Sequence, residues 1–227
     1  MSRIKGIVFD VDGTLYSNTK LRLLISLLLL VNFFRSPVKF PKLVKIISSY
    51  RKSQEKLREN TTGNVKAAQI ALTSKDTGCS PEEVETVVSD WFDTRPLKHL
   101  EKAARKNLVY IFKWIKSKDL KLGLLSDYPC REKAEALGLS EYIDVVLSAQ
   151  DEGVNVFKPN PKGFEVIAEK LGLKPIEIIY IGDRAEIDVP GAVKTGMTAV
   201  IIGGKKGKNY ISITNFNELK KIIEERI

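Results

Sequence analysis

The sequence predicts an α/β protein: a doubly wound, parallel-sheet (Rossmann-like) core with an all-helical unit inserted after its first strand. Three observations predict this. From residue 122 onward, short apolar runs alternate with helical stretches, the pattern of parallel strands joined by crossover helices. Another apolar run, Ile7-Val8-Phe9, stands near the N-terminus; alone it has nothing to bury it, so it joins the same sheet. Between them lies a long stretch of helical pattern with no strand signal. The chain therefore divides into a sheet unit, residues 1–15 with 96–227, and a helical unit, residues 16–95.

The elements follow in order. The opening strand ends at Asp10, and Gly13 lets the chain turn. Residues 21–34 are apolar except for Arg22, Ser26 and Asn32, too short a run for a membrane-crossing helix of about 20 residues. A helix apolar on nearly every side is expected to be buried, in the helical unit or in a dimer interface; a membrane-surface helix is the second reading. Pro37 and Pro41 interrupt it, and residues 43–57 read as a strongly basic amphipathic helix. A turn at Asn60-Thr61-Thr62-Gly63, a helical stretch over 65–72 and a turn at Lys75-Asp76-Thr77-Gly78 follow. Ser80-Pro81-Glu82-Glu83 starts a helix with a cap, a first-turn proline and acids at the positive dipole end. Asp93-Thr94-Arg95-Pro96 reads as the linker back to the sheet unit. A helix is expected over 97–118, then strands at 122–125, 145–147, 178–181 and 198–202, with helices at 131–137, 161–171, 189–195 and 216–226.

The 227 residues are 43% hydrophobic and 29% charged, as in an ordinary globular protein. Cys79 and Cys130 are far apart and form no metal-ligand spacing, which suggests a reducing setting. With the first strand beginning so early, no leader peptide is expected, and a cytoplasmic location is. The net charge of +9 is uneven: residues 16–59 hold ten Lys and Arg against Glu55 and Glu59, a net of +8. Such a surface attracts anions, although the commoner reading is the solvated side of helices.

In doubly wound sheets, ligands bind outside the carboxyl ends of the strands. Alternation along a strand turns Asp10 and Asp12 to one side, where their repulsion needs a metal, a proton or a substrate to offset it. The other strand ends and loops supply Ser126 and Asp127, then Lys158, then Asp183 and Asp188. Carboxylates with a hydroxyl and a lysine suit Mg²⁺ and a phosphoryl group.

In order and identity these residues resemble the haloacid dehalogenase superfamily, in its phosphatase branch with a C1-type helical cap. The DxDGT motif is matched by Asp10-Val11-Asp12-Gly13-Thr14, the strand-ending Ser or Thr by Ser126, the Lys by Lys158-Pro159, and GDxxxxD by Gly182-Asp183 through Asp188. The resemblance implies that Asp10 attacks phosphorus to form an aspartyl-phosphate and that Asp12 protonates the leaving oxygen, then activates water. It further implies Mg²⁺ held by the Asp10 carboxylate, the Asp12 backbone carbonyl and Asp183, with Asp188 supporting the site directly or through water. Ser126 and the Asp127 amide would bind phosphate, and Lys158 would neutralise charge on the nucleophile and the transferring group. Asp127 departs from the Asn of many relatives; its carboxylate is expected to point away from the phosphate.

Taken singly, these residues have blander readings: Ser126 a cap, Lys158 a surface lysine, Asp188 a helix cap. Cys130 is expected to pack at a helix start, with a thiol open to acidification, and His99 to lie at the surface. Gly203 to Lys208 lacks the spacing of a phosphate-binding loop and reads as a turn after the last strand. Four functional alternatives stay open: a phosphotransferase of the phosphoglucomutase type, a dehalogenase, a receiver domain, and a non-catalytic scaffold or membrane-associated protein. The dehalogenase reading suffers because that branch lacks the second acid, and the receiver reading because its acceptor follows the third strand. The expected partner is a small anionic phosphorylated substrate, with no nucleic acid, and the protein is expected to be a monomer or homodimer.

Overall fold

The computed structural model describes residues 3–59, 63–204 and 206–227. In chain order, β1 (Gly6–Phe9) leads to α1 (Asn18–Arg35), α2 (Phe40–Glu59), α3 (Val65–Thr77), α4 (Pro81–Val88), a π-helical turn at Ser89–Thr94, α5 (Arg95–Ala103) and α6 (Leu108–Lys116). Then come β2 (Lys121–Ser126), α7 (Arg131–Ala136), β3 (Val145–Ser148), α8 (Lys162–Leu171), β4 (Ile178–Gly182), α9 (Ala185–Thr195), β5 (Thr198–Ile202), β6 (Ile211–Ile213) and α10 (Phe216–Glu224).

These strands form one parallel sheet in the order β3-β2-β1-β4-β5-β6. Their apolar runs are continuous because both faces are covered. Ile7 and Phe9, Leu122 and Leu124, Ile179 and Ile181 face a core shared with Phe112 of α6 and Leu219 of α10. Val8, Leu125, Ile178 and Tyr180 face the opposite core, shared with Phe164 and Ile167 of α8 and Ala192 of α9. Adjacent residues of one strand thus serve two hydrophobic layers. The order reverses at β1, which lies between β2 and β4, so the crevice at its carboxyl end is the switch point of the sheet.

α2, α3 and α4 bury Ile46, Tyr50, Ile70, Val84 and Val88 against one another. The chain leaves the sheet and returns to it side by side: Tyr16 bridges Ala104, and the amides of Ser17 and Arg105 donate to Ala103 and Leu15.

Several expectations need correction. Residues 21–34 do form a helix, but α1 holds no buried residue; the bundle of α2, α3 and α4 satisfies its own apolar faces, and α1 packs mainly on α5, with Phe33 reaching Phe40 of α2. Pro41 opens α2 rather than interrupting the chain, in a first turn where a missing N–H has no partner to lose. Residues 75–77 belong to α3, which Gly78 closes at φ +74°. Asp93 to Pro96 is no linker: the π-helical turn runs straight into α5, held by Arg95 against Asp90 at 2.8 Å. The helix expected over 97–118 breaks, because Ala104 leaves it to pair with Tyr16. β6 went unforeseen; three residues with a polar centre carry too little pattern. The Gly203 turn therefore precedes β6 rather than following the last strand. Lys205 and residues 60–62, with most of the expected 60–63 turn, lie outside the described residues. Among the described residues no helix is long and apolar enough to cross a membrane.

Candidate active site

The carboxyl ends of β1, β2 and β4 bring Asp10, Asp12, Asp127, Asp183 and Asp188 around one cavity of about 550 Å³, with Lys158 reaching in from the loop before α8. Ser126, the seventh residue predicted from the sequence, is buried just behind this lining and joins it through Asp12. The structure divides these residues into two charge clusters.

The first cluster centres on Lys158. Its ammonium donates to Asp10 Oδ1 at 2.6 Å, Asp188 Oδ1 at 2.7 Å and the Tyr180 hydroxyl at 2.9 Å. Those are all three donors of an ammonium. Asp10 also accepts from Thr14 Oγ1 at 3.0 Å, and Asp188 from the Arg184 amide at 3.0 Å. Carboxylate oxygens of Asp10, Asp183 and Asp188 lie within 4.8 Å of one another. Burial pushes Asp10 up to about 8 against the pull of Lys158, helped by Asp188, Asp183 and Asp12. Burial and the neighbouring Asp188 likewise lift Asp183 to about 6.

Two glycines make this crowding possible. A Cβ on Gly13 would stand 2.1 Å from Asp183 Oδ2, and one on Gly182 would stand 2.3 Å from Asp188 Oδ2. Gly13 also needs its φ of +101° for the turn. Arg105 fixes that turn by donating to the carbonyls of Gly13 and Thr14 at 2.7 and 3.0 Å.

Such a set of hard oxygens, buried and mutually repelling, fits a divalent cation of the Mg²⁺ type. The carboxylates that could hold it are those of Asp10, Asp183 and Asp188. The Asp12 carboxylate is outside that cluster, and its carbonyl accepts from Asn18 Nδ2 at 3.2 Å.

The second cluster holds Asp12. Lys133 of α7 donates to Asp12 Oδ1 at 2.6 Å, the Tyr16 hydroxyl donates to the same oxygen, and Ser126 Oγ donates to Oδ2 at 3.3 Å. Burial works to raise this carboxyl, but Lys133 and Tyr16 outweigh it and hold it below the ordinary range. Ser126 Oγ in turn accepts from the Tyr128 amide at 3.2 Å.

Asp127 turns to α2. It pairs with Arg58 Nη2 at 2.7 Å and accepts from Gln54 Nε2 at 3.2 Å and the Lys158 amide at 3.1 Å. Arg58 also donates to the Lys158 carbonyl and to Glu55 at 3.0 Å, and Glu55 meets Arg184 at 3.2 Å. One ladder of charges thus joins α2 to the loops after β2 and β4.

Lys133, Tyr16, Tyr180 and Arg58 were not foreseen from the sequence. A lysine is almost never buried unless paired, so Lys133 reads as surface until its partner is known. Tyr16 was findable, since it follows Asp12 by four residues in the same turn. Cys130 is buried, and burial drives its thiol up to about 12, so it is not acidified. His99 is half-buried on α5 rather than exposed.

The family described as haloacid dehalogenase-like hydrolase matches residues 4–196. The chain is 29% identical over 210 residues to a glyceraldehyde 3-phosphate phosphatase of Methanopyrus kandleri, covering 90% of this chain and 85% of that protein. It is 26% identical over 217 residues to the pyrophosphatase PpaX of Halalkalibacterium halodurans, covering 92% and 88%. A solved phosphatase structure from Thermococcus onnurineus superposes with a TM-score of 0.61 at 26% identity, covering 99% of this chain and all of that one.

Proposed function

The chain belongs to the haloacid dehalogenase-like hydrolase family, and from that premise we propose that it is a Mg²⁺-dependent phosphatase that cleaves a phosphomonoester through an aspartyl-phosphate. One observation carries the reading. Two carboxylates only two residues apart, Asp10 and Asp12, sit in opposite electrostatic surroundings, one lifted by burial and neighbouring acids, the other held down by Lys133. Paired acids pushed apart in this way are the mark of two different chemical roles.

In this reading an Asp10 oxygen attacks phosphorus; the new O–P bond forms as the ester O–P bond breaks, and Asp12 gives its proton to the leaving oxygen. Water then attacks the aspartyl-phosphate, Asp12 takes up its proton, and inorganic phosphate leaves. Lys133 keeps Asp12 ionised in the free protein, the form that accepts a proton from water. The negative phosphoryl group arriving beside it favours the protonated form needed first. Ser126 and the Asp127 amide bind phosphoryl oxygens, and Lys158 neutralises charge beside Asp10. Mg²⁺ held by Asp10, Asp183, Asp188 and the Asp12 carbonyl would supply positive charge that lets an anionic nucleophile meet an anionic ester.

Residues 16–95 act as the cap over residues 1–15 and 96–227, with Arg58 and Gln54 contacting the core at Asp127. Both cysteines are free and buried, which suits a cytoplasmic setting. The test is release of inorganic phosphate from a panel of phosphomonoesters with Mg²⁺. Release is expected, with loss of roughly three orders of magnitude or more in Asp10→Asn. Negligible release across the panel, or an unchanged rate in Asp10→Asn, overturns the reading.

A further inference from the structure

We propose that the leaving group of the substrate carries an apolar chain, held by the cavity wall beyond the carboxylates. The proposal rests on the phosphatase reading and deepens it. Beyond the acids, the wall is formed by Leu21, Ile25 and Leu29, spaced by four along α1, with Ile47 of α2, Phe92 of the π-helical turn and Ile187 of α9. The cavity's volume of about 550 Å³ lies well inside the range of roughly 300–1,000 Å³ that suits extended organic ligands. A three-carbon phosphate would leave most of it as water against apolar walls, where water finds few partners.

The polar groups nearby are already committed. Gln54 donates to Asp127 at 3.2 Å and accepts from the Tyr128 hydroxyl at 2.9 Å, while Asn18 donates to the Asp12 carbonyl. The bases that line the cavity at its solvent side, Arg22, Arg51 and Lys52, are exposed, and the Arg51 guanidinium lies over the Phe92 ring at 5.4 Å. Donors therefore gather at the rim, with Ser26 beside them, while Leu21, Ile25, Leu29, Ile47, Phe92 and Ile187 offer a sugar none; an alkyl, aryl or isoprenoid-like chain would cover that stretch.

The test is phosphate release with Mg²⁺ from straight-chain alkyl phosphates, ethyl to octyl, each below its micellar concentration, beside glycerol phosphate and p-nitrophenyl phosphate. The kcat/KM is expected to rise by up to about fourfold per methylene until the wall is covered. A flat or falling series, with glycerol phosphate turned over, overturns the proposal and spares the phosphatase reading. No release from any ester, p-nitrophenyl phosphate included, removes both. Ile25→Asp is expected to lower the octyl-to-ethyl ratio of kcat/KM at least tenfold. That ratio does not depend on the folded fraction, and an unchanged ratio counts against the proposal.

A different observation carries a second inference: the outward face of α1 docks on an anionic membrane surface. Leu23, Leu27, Leu30, Phe34 and Val38 are 65%, 53%, 52%, 74% and 92% exposed. Helical spacing sets Leu23, Leu27, Leu30 and Phe34 in one stripe, opposite the side that lines the cavity. Exposed apolar patches of this kind mark contact surfaces. Charge selects the occupant. No Asp or Glu occurs from Gly13 to Gln54, and of the eight Lys and Arg there, Lys20, Arg35, Lys39, Lys42 and Lys45 lie outside the cavity lining. A second copy of the chain would set these bases against their own kind, whereas acidic headgroups attract them.

The test is flotation of the full chain with vesicles of phosphatidylcholine, and of equal parts phosphatidylcholine and phosphatidylglycerol. Binding is expected to the acidic vesicles only, weakened by salt and lost in the surface variant Leu27→Glu/Phe34→Glu. Failure to bind acidic vesicles overturns the inference, whether the chain is monomeric or forms a dimer that this variant breaks.

Discussion

Lys133→Met removes the ammonium 2.6 Å from Asp12 and leaves an unbranched side chain in a slot where Lys133 is only 6% exposed. In the intact protein burial works to raise the Asp12 carboxyl, and Lys133 and Tyr16 more than reverse this. A carboxyl depressed by folding stabilises the fold above its unfolded pKa, and that stability is lost as pH falls through the folded pKa. Without Lys133, Asp12 either stays ionised and unpaired, at about 3–5 kcal/mol, or takes up a proton. From an ordinary carboxyl near 3.9, protonation costs about 4 kcal/mol at pH 7 and about 1.5 kcal/mol at pH 5. The Asp12 side chain keeps 31% of its surface open, so solvent screening brings the pH 7 loss below that range, to about 2–3 kcal/mol. Urea unfolding of both proteins with chelator present, at pH 7 and pH 5, measures this. The deficit is expected to shrink by roughly half on acidification. A deficit below about 1 kcal/mol that is equal at both pH values refutes the assignment of Lys133 as the charge that compensates Asp12.

Three further outcomes are expected. Mg²⁺ at a hundred times its dissociation constant stabilises the fold by about 2.7 kcal/mol, a rise of roughly 5–10 °C in Tm, and Asp183→Asn removes most of that rise in a thermal scan. Arg58→Met leaves Asp127, 11% exposed at its side chain, without its cationic partner, so a loss of about 2–4 kcal/mol is expected in urea unfolding; a neutral result would show that α2 is held without this ladder. Gly191→Ala would set a Cβ 2.2 Å from the buried Phe164 ring, and overpacking of about 1–3 kcal/mol should appear as a lower Tm with the Mg²⁺ response retained.

The sheet and its acids are legible in the sequence for the same reason. A strand buried on both faces must be apolar along its whole length, and the polar residues that end it therefore stand out. Asp10, Ser126 and Asp183 are conspicuous because Phe9, Leu125 and Ile181 precede them. Where the signal depends on a partner distant in sequence, reading along the chain fails. Lys133 is an ordinary lysine until Asp12 lies 2.6 Å away, 121 residues earlier. Asp127 is expected from the sequence to turn its carboxylate from the phosphate, but nothing along the chain names Arg58 and Gln54 as the groups it meets.

Residues 21–34 mark the limit most clearly. Their composition dictated a helix and its apolar character, since leucine favours helix and the run lacks a breaker. It could not say what would cover that helix. Burial depends on how much apolar surface the neighbours leave unsatisfied, and α2, α3 and α4 satisfy one another, so α1 has α5 and the start of α2 on one side, the cavity beside it and solvent on the other. Local periodicity and residue chemistry suffice for the strand ends, their acids and the helical insertion. Which charges pair, which face of α1 meets the cavity and which face stays open come from the packed chain. Those outcomes are set by distances between residues far apart in the chain, and no local pattern encodes them.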